Sequence, residues 1–157
     1  MPIRNMFAFL KQLTQGGNLD YFMDSNQNGL GIMKTAKMTY DFAVDGGAVA
    51  NNIIPANSPT LPDDAIIIGG VIEITAACVG AGSISLGTSA GSSNVSLKAA
   101  TAAATYALNT QIALIPVWTA ASSLKLTAAG RLNLSITVGT ITAGKFAVQV
   151  HYFQGNA

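Results

Sequence analysis

"LNLSITVGTITAGKFAVQVHYF", Leu132 to Phe153, alternates apolar with small or polar residues along most of its length. Leu132, Leu134, Ile136 and Val138 fall on one side, with Asn133, Ser135 and Thr137 between them. Past "GTITAG" the alternation resumes at Phe146, Val148, Val150 and Tyr152. A period of two belongs to a strand with one face in a core, because successive side chains of extended backbone point to opposite sides. The stretch therefore reads as two strands joined by a short Gly- and Thr-containing connection, an antiparallel hairpin.

The same period extends upstream. "KMTYDFAVD" (37–45) places Met38, Tyr40, Phe42 and Val44 on one face. "AIIIGGVIEITAACV" (65–79) is long enough for one strand or two, broken or bulged at Gly69-Gly70. "SISL" (83–86) and "NVSL" (94–97) are short candidates on either side of "GTSAGSS". "IALIPVW" (112–118) is an apolar strand in which Pro116 points to a sheet edge or bulge, since proline cannot donate to a ladder. "SLKLT" follows, and "AAGR" forms a turn before the final hairpin. "NNIIPANSPTLPDD" (51–64), with Pro55, Pro59 and Pro62, reads as a loop. "AATAAATYAL" (99–108) is open between a helix, favoured by alanine, and a strand, favoured by the alternation of Thr and Ala. Eight or nine short strands without helices long enough for crossovers predict an all-β fold, an antiparallel β-sandwich of jelly-roll type spanning residues 36–157.

Residues 1–35 differ in character. They hold three of the six Phe, several Asn and Gln, and Gly16, Gly17 and Gly29 as breakers. "RNMFAFLKQL" has the spacing of a short helix, but one too short to be stable alone in water. With Phe7, Phe9, Leu10, Leu19, Tyr21 and Phe22, this N-terminal arm reads as a contact segment.

Composition narrows the function classes. Charged residues make up 10% of the chain, against about 25% in ordinary soluble domains. Such a surface suits a protein partly covered by other subunits, because charge is what keeps free subunits apart. A net charge of +1 gives no footprint for nucleic acid, and no apolar run is long enough to span a membrane. The first residues lack a secretory h-region, so the protein is expected to be made and kept inside a cell, and the sequons at Asn94 and Asn133 then carry no meaning. Cys78, the one cysteine, lies in an apolar run and reads as a small buried hydrophobe.

Motifs for chemistry are weak. "DSNQNG" (24–29) opens like a calcium loop, but its twelfth position is Thr35 where a bidentate Glu is needed, so it reads as a turn. "GLGIMKT" (29–35) lacks the consecutive G-K-[ST] of a phosphate loop. His151, the sole histidine, falls on the strand face opposite Val148 and Val150 and reads as a surface residue. Asp63-Asp64 reads as turn chemistry at a strand entrance, and nothing singles out Asp41 and Glu73 as paired carboxylates. Trp118 reads as a core or interface residue rather than a ligand platform. No catalytic residue, cofactor or metal is expected, and the chain reads as something other than an enzyme.

The order "TYDFAVDGG", "LPDDAIIIGGVIEI", "ISLGTSAGSS" and "LNLSITVGTITAGKFAVQVHYF" resembles the small capsid decoration, or cement, proteins of tailed bacteriophages over about residues 36–153. That resemblance implies a β-sandwich or jelly-roll module on the outer capsid shell, often a homotrimer, whose partners are the major capsid protein lattice and its own copies. It implies a protein made in the host cytoplasm and carried in the virion, without nucleic-acid or membrane partners. A fibre or adhesin head module and a carbohydrate-binding jelly roll are the alternatives, and a hydrolase would need an acid–base pair that these residues do not supply.

Overall fold

The computed structural model describes residues 33–90, 97–116 and 125–154. Among them are nine strands: β1 (Lys34–Asp41), β2 (Ala50–Ile53), β3 (Thr60–Leu61), β4 (Ala65–Gly80), β5 (Ser83–Thr88), β6 (Lys98–Ala102), β7 (Gln111–Leu114), β8 (Gly130–Thr137) and β9 (Ile141–Gln154). A single helical turn, α1 (Phe42–Asp45), follows β1, and a 3₁₀ turn (Ala103–Thr105) follows β6.

One sheet runs β1-β9-β4-β7 and the other β2-β8-β5-β6, with β3 also on β8. Every pairing is antiparallel. The chain is in effect one long hairpin, pairing β1 with β9, β2 with β8, β4 with β7 and β5 with β6. Its two arms wrap until β9 meets β4 and β8 meets β5. This is a jelly roll, as the strand pattern predicts.

The core lies between the sheets. Met38, Tyr40, Ile72, Ile74, Phe146, Val148 and Val150 come from one, and Ile84, Leu86, Leu132, Leu134 and Ile136 from the other; none is more than 1% exposed. Phe146 stands at the centre, its ring centroid 4.9 Å from Tyr40 and 5.5 Å from Tyr106. Both tyrosines place their hydroxyls on backbone carbonyls, Tyr40 on Gly46 O at 2.7 Å and Tyr106 on Ile84 O at 3.3 Å. Each can therefore bury a polar tip without losing its hydrogen bond.

β4 is a single 16-residue strand. Its buried side chains change phase, from Ala65 and Ile67 to Ile72 and Ile74. The cause is a bulge: Ile67 pairs with Tyr152 and Gly69 with His151, so one extra residue enters β4 between them. Gly69 takes φ +153°, a backbone state a side chain would disfavour.

Several expectations shift at their edges. β1 begins at Lys34, two residues inside the segment assigned to the arm. Phe42 and Val44 leave the β1 face, because the Asp41 side chain accepts from Ala43 N at 3.0 Å and caps α1. The proline-containing loop holds two short strands, since β2 takes in Asn51, Asn52 and Ile53, and β3 takes in Thr60 and Leu61. Residues 99–108 resolve into the end of β6 and the 3₁₀ turn, and β7 is an edge strand ending two residues before Pro116. Of "SLKLT", Ser123 and Leu124 lie outside the described residues, and Lys125 forms an isolated bridge with Ile66 instead of a strand. Val138 does not share the face of Leu132, Leu134 and Ile136; β8 ends at Thr137 and Val138 turns outward.

The central strands β5 and β8 are buried on both faces, not one. Ser85, Thr88, Asn133 and Ser135 are each at most 3% exposed. Ser135 Oγ donates to Asn51 O at 2.6 Å and Asn133 Nδ2 to Asn52 Oδ1 at 2.7 Å, bonds that offset the cost of burying these polar groups.

Candidate protein–protein interface

The residues with chemical potential are held in structural roles. Cys78 is buried and its thiol is pushed up to about 11 by desolvation, so it is not a thiolate at neutral pH. His151 lies on the outer face of β9, with Nδ1 3.2 Å from Thr35 Oγ1. Asp64 pairs with Lys125 at 2.7 Å, and Asp63 accepts from the Asp64 backbone N–H at 2.8 Å, which is turn chemistry. Asp41 pairs with Lys145 at 2.8 Å, and that hydrogen bond, helped by Ala43 N–H, holds its carboxyl below the usual range. Strand β9 separates β1 from β4, so Asp41 and Glu73 stand at least about two strand spacings, 10 Å, apart. Among the described residues no three His, Cys, Asp or Glu come together as a metal site, and no helix is long and apolar enough to cross a membrane.

Phe7, Phe9, Leu10, Leu19, Tyr21 and Phe22, the residues expected to form the contact segment, lie outside the described residues. So do the "DSNQNG" stretch, Trp118 and residues 91–96 of the small-residue crossing after β5. Before that crossing, "SISLGT" forms β5.

What the described residues do present is an asymmetry between the two ends of the sandwich. At one end stand the first residues of β1, the 54–64 connection and the start of β8. Lys34, Asp63, Asp64, Lys125 and Arg131 all lie there. Arg131 donates to three carbonyls, through Nε to Ser58 O at 2.9 Å and through Nη2 to Ala56 O at 3.0 Å and Pro55 O at 3.1 Å. It ties the 55–58 segment to β8.

At the other end meet the β1–β2, β4–β5 and β8–β9 connections. Ile141 N donates to Gly47 O at 2.8 Å and ties the β8–β9 turn to the β1–β2 connection, while Gly139 N to Thr137 O at 2.9 Å closes the β8–β9 turn itself. Residues 42–49, 79–82 and 137–141 contain one charged side chain, Asp45. Its Oδ2 already accepts from Asp41 N at 2.9 Å. Four valines stand out from this end: Val44 75% exposed, Val49 56%, Val79 54% and Val138 88%. Leu108, 53% exposed, lies on the β7 flank below it. A sequence-based reading places Val44, Val79 and Val138 in strands. The signal that separates them from core valines is their neighbours, Asp45-Gly46-Gly47, Gly80 and Gly139, which end the strands.

Comparison with known proteins finds no matching family model and no matching curated sequence. The fold is shared with chains of solved phage capsids. One comes from the acidic stable capsid structure of Helicobacter pylori bacteriophage KHP30, 13% identical, with a TM-score of 0.52 over 80% of this chain and 91% of that one. Another comes from the capsid of Ralstonia phage GP4, 13% identical, with a TM-score of 0.52 over 85% of this chain and 91% of that one. A third, from the cyanophage Pam1 capsid asymmetric unit, is 17% identical, with a TM-score of 0.51 over 82% and 89%. In each case the smaller share falls on this chain, so the matched chains are somewhat shorter than it is.

Proposed function

We propose that the protein is a structural component of a phage virion that binds the outer surface of the capsid and stabilises the shell, a decoration or cement protein rather than an enzyme. The observation that carries this reading is the jelly roll shared, over 80–85% of this chain and 89–91% of theirs, with chains of three phage capsids. Those chains are no longer than this one, so the likeness is to whole small capsid chains, and a small single-module chain suits an accessory seated on a lattice. The low content of charged residues and the held, unreactive state of Cys78, Asp41 and Asp64 support a role in contact rather than catalysis.

In this reading the protein is made in the host cytoplasm and carried on the virion exterior, where it meets the major capsid protein lattice and its own copies, as a homotrimer. Residues 1–35 supply the contact segment, with Phe7, Phe9, Leu10, Leu19, Tyr21 and Phe22 as its anchors, because aromatic side chains bury large areas at low entropy cost. Co-sedimentation with purified particles lacking the protein tests the proposal. Saturable binding in a fixed ratio to the shell subunit, with the particle disrupting at a higher temperature, is the expected result. Absence of binding refutes it. Removal of residues 1–32, which leaves β1 whole, is expected to weaken attachment more than it lowers the unfolding temperature of the β domain.

A further inference from the structure

At the end of β1 two local structures compete for the same residues. α1 is 4 residues long, and β9 runs on by the same length, Ile141 to Gly144, past the last β1 pair, Asp41 with Lys145. Carried on in register, β1 would set Phe42 opposite Gly144, Ala43 opposite Ala143, Val44 opposite Thr142 and Asp45 opposite Ile141. Phe42 and Val44 would then share the inward face of Met38 and Tyr40, as the alternation of the sequence directs, with the Phe42 ring over a glycine. Among the described residues no strand pairs with Ile141 to Gly144 on the β1 side; their ladder partner, β4, lies on the other. A single helical turn containing a β-branched residue does not sustain itself in water, so something else must decide for α1.

Two carboxylates do so. Asp41 Oδ1 accepts from Ala43 N at 3.0 Å, Asp41 Oδ2 meets Lys145 Nζ at 2.8 Å, and Asp45 Oδ2 accepts from Asp41 N at 2.9 Å. Gly46 closes the turn, its N–H on Phe42 O at 3.0 Å and its φ at +73°. Such bonds are strong to an ionised carboxylate and weak to a neutral one. We infer that Asp41 and Asp45 form an acid-operated latch: ionised, they hold residues 42–45 as α1; protonated, they release the segment, which joins β9 as a continuation of β1 and draws Val44, 75% exposed in the turn, off the surface. The exchange gives up the bond from Ile141 N to Gly47 O. The other titratable groups facing the latch are Lys145 of β9, Tyr40 of β1, whose hydroxyl donates to Gly46 O at 2.7 Å, and Cys78 of β4, within electrostatic reach of Tyr40. Burial keeps the tyrosine and the thiol neutral in acid, and a lysine is a cation there, so only the two carboxylates change state. The hydrogen bonds from Lys145 and Ala43 N–H hold the Asp41 carboxyl below its ordinary value. A lowered folded value means that the latch is set above the ordinary carboxylate range, about pH 4, and opens as pH falls below it.

Backbone NMR of the full-length protein tests the latch without particles, so its outcome is independent of any role in a virion. From neutral pH to about pH 3, the Cα and Cβ shifts of residues 42–45 are expected to move from helical to strand values. Protection of the Gly46 N–H is expected to fall by about tenfold, the scale of a lost cap, while the Met38 and Tyr40 amides stay protected. Asp41→Ala is expected to give the strand shifts already at neutral pH, which decides the matter even where acid unfolds the whole chain. Lys145→Met, which removes one partner of Asp41 and leaves the cap, is expected to raise the midpoint of the transition toward the ordinary carboxylate value. Helical shifts retained by Asp41→Ala at neutral pH overturn the inference. So do shifts that move to disordered values, since a turn that only frays has no second state to enter.

Discussion

Replacing Arg131 by Met should loosen one end of the sandwich in a way the structure quantifies. The guanidinium donates to Ser58 O, Ala56 O and Pro55 O, the first and last of these bonds part-buried and the middle one exposed. Hydrogen bonds from a charged donor contribute about 1.5–3 kcal/mol each when shielded and little in open solvent. Two part-buried bonds at the lower figure, with the exposed one neglected, place the loss at about 3 kcal/mol. Met keeps most of the apolar stem, so the change reads the head group rather than packing. Lys is the informative comparison: one ammonium on a flexible stem does not reproduce a planar fork serving three carbonyls. Arg131→Lys is expected to recover less than half of the loss. Urea denaturation followed by circular dichroism measures it, as a lower midpoint with an unchanged slope. The segment released includes Ser58, whose Oγ donates to Leu132 O at 2.8 Å, so exchange of β8 amides near Leu132 should accelerate as well. A loss below about 0.5 kcal/mol, the range of ordinary surface substitutions, or full recovery by Lys, would refute the role given to the fork.

Two other perturbations read the core. Gly144→Ala is expected to destabilise strongly, because Gly144 holds φ +144° and an added Cβ would lie 3.0 Å from the Cys78 Cα; Cys78→Ala in the same chain should restore only part of the loss, since the backbone clash and the φ remain, and complete restoration in chemical denaturation would contradict this. Alkaline pH should unfold the protein cooperatively. Burial, aided by the nearby Cys78, Asp45 and Asp41, raises Tyr40 from 10.0 to about 12, and burial raises Cys78 from 9.0 to about 11 and Tyr106 in the same direction. The folded values lie above the unfolded ones, so these groups leave stability intact below about pH 9. It then falls as pH climbs toward 11 and 12, because the unfolded chain releases its protons first, by roughly 3 kcal/mol for a shift of two units. Tyrosinate absorbance from Tyr40 and Tyr106 should therefore appear together with loss of the β signal, and tyrosinate appearing well before it would contradict their burial.

Much of the fold was legible because its informative strands are half-buried in the ordinary way. Met38 and Tyr40 in β1 and Phe146, Val148 and Val150 in β9 keep strict alternation, and the Gly69-Gly70 pair announced the bulge that resets the phase of β4. Alternation says nothing about where a ladder partner ends. Val138 continues the pattern of β8 on paper yet belongs to the turn, and Phe42 and Val44 are diverted by an Asp41 cap that competes with the strand. Three prolines hid β2 and β3, which survive because each lies on the β8 edge and needs few ladder bonds. The burial of Ser85, Asn133 and Ser135 was also invisible, since small polar residues on the outward face of a strand read as solvent-facing. The exposure of Val44, Val79 and Val138 was missed for a related reason: valine in a β protein signals core, and the adjoining Asp45-Gly46-Gly47, Gly80 and Gly139 outweigh that signal only when read as strand ends.

The position of the protein in a particle decides its role most directly. Electron cryomicroscopy of virions with and without this chain should give difference density confined to the outer surface of the shell, in a fixed ratio to the shell subunit and fitted by the two-sheet jelly roll. Particles whose surfaces are indistinguishable with and without it, or density found only inside the shell or on the tail, would contradict the proposed role.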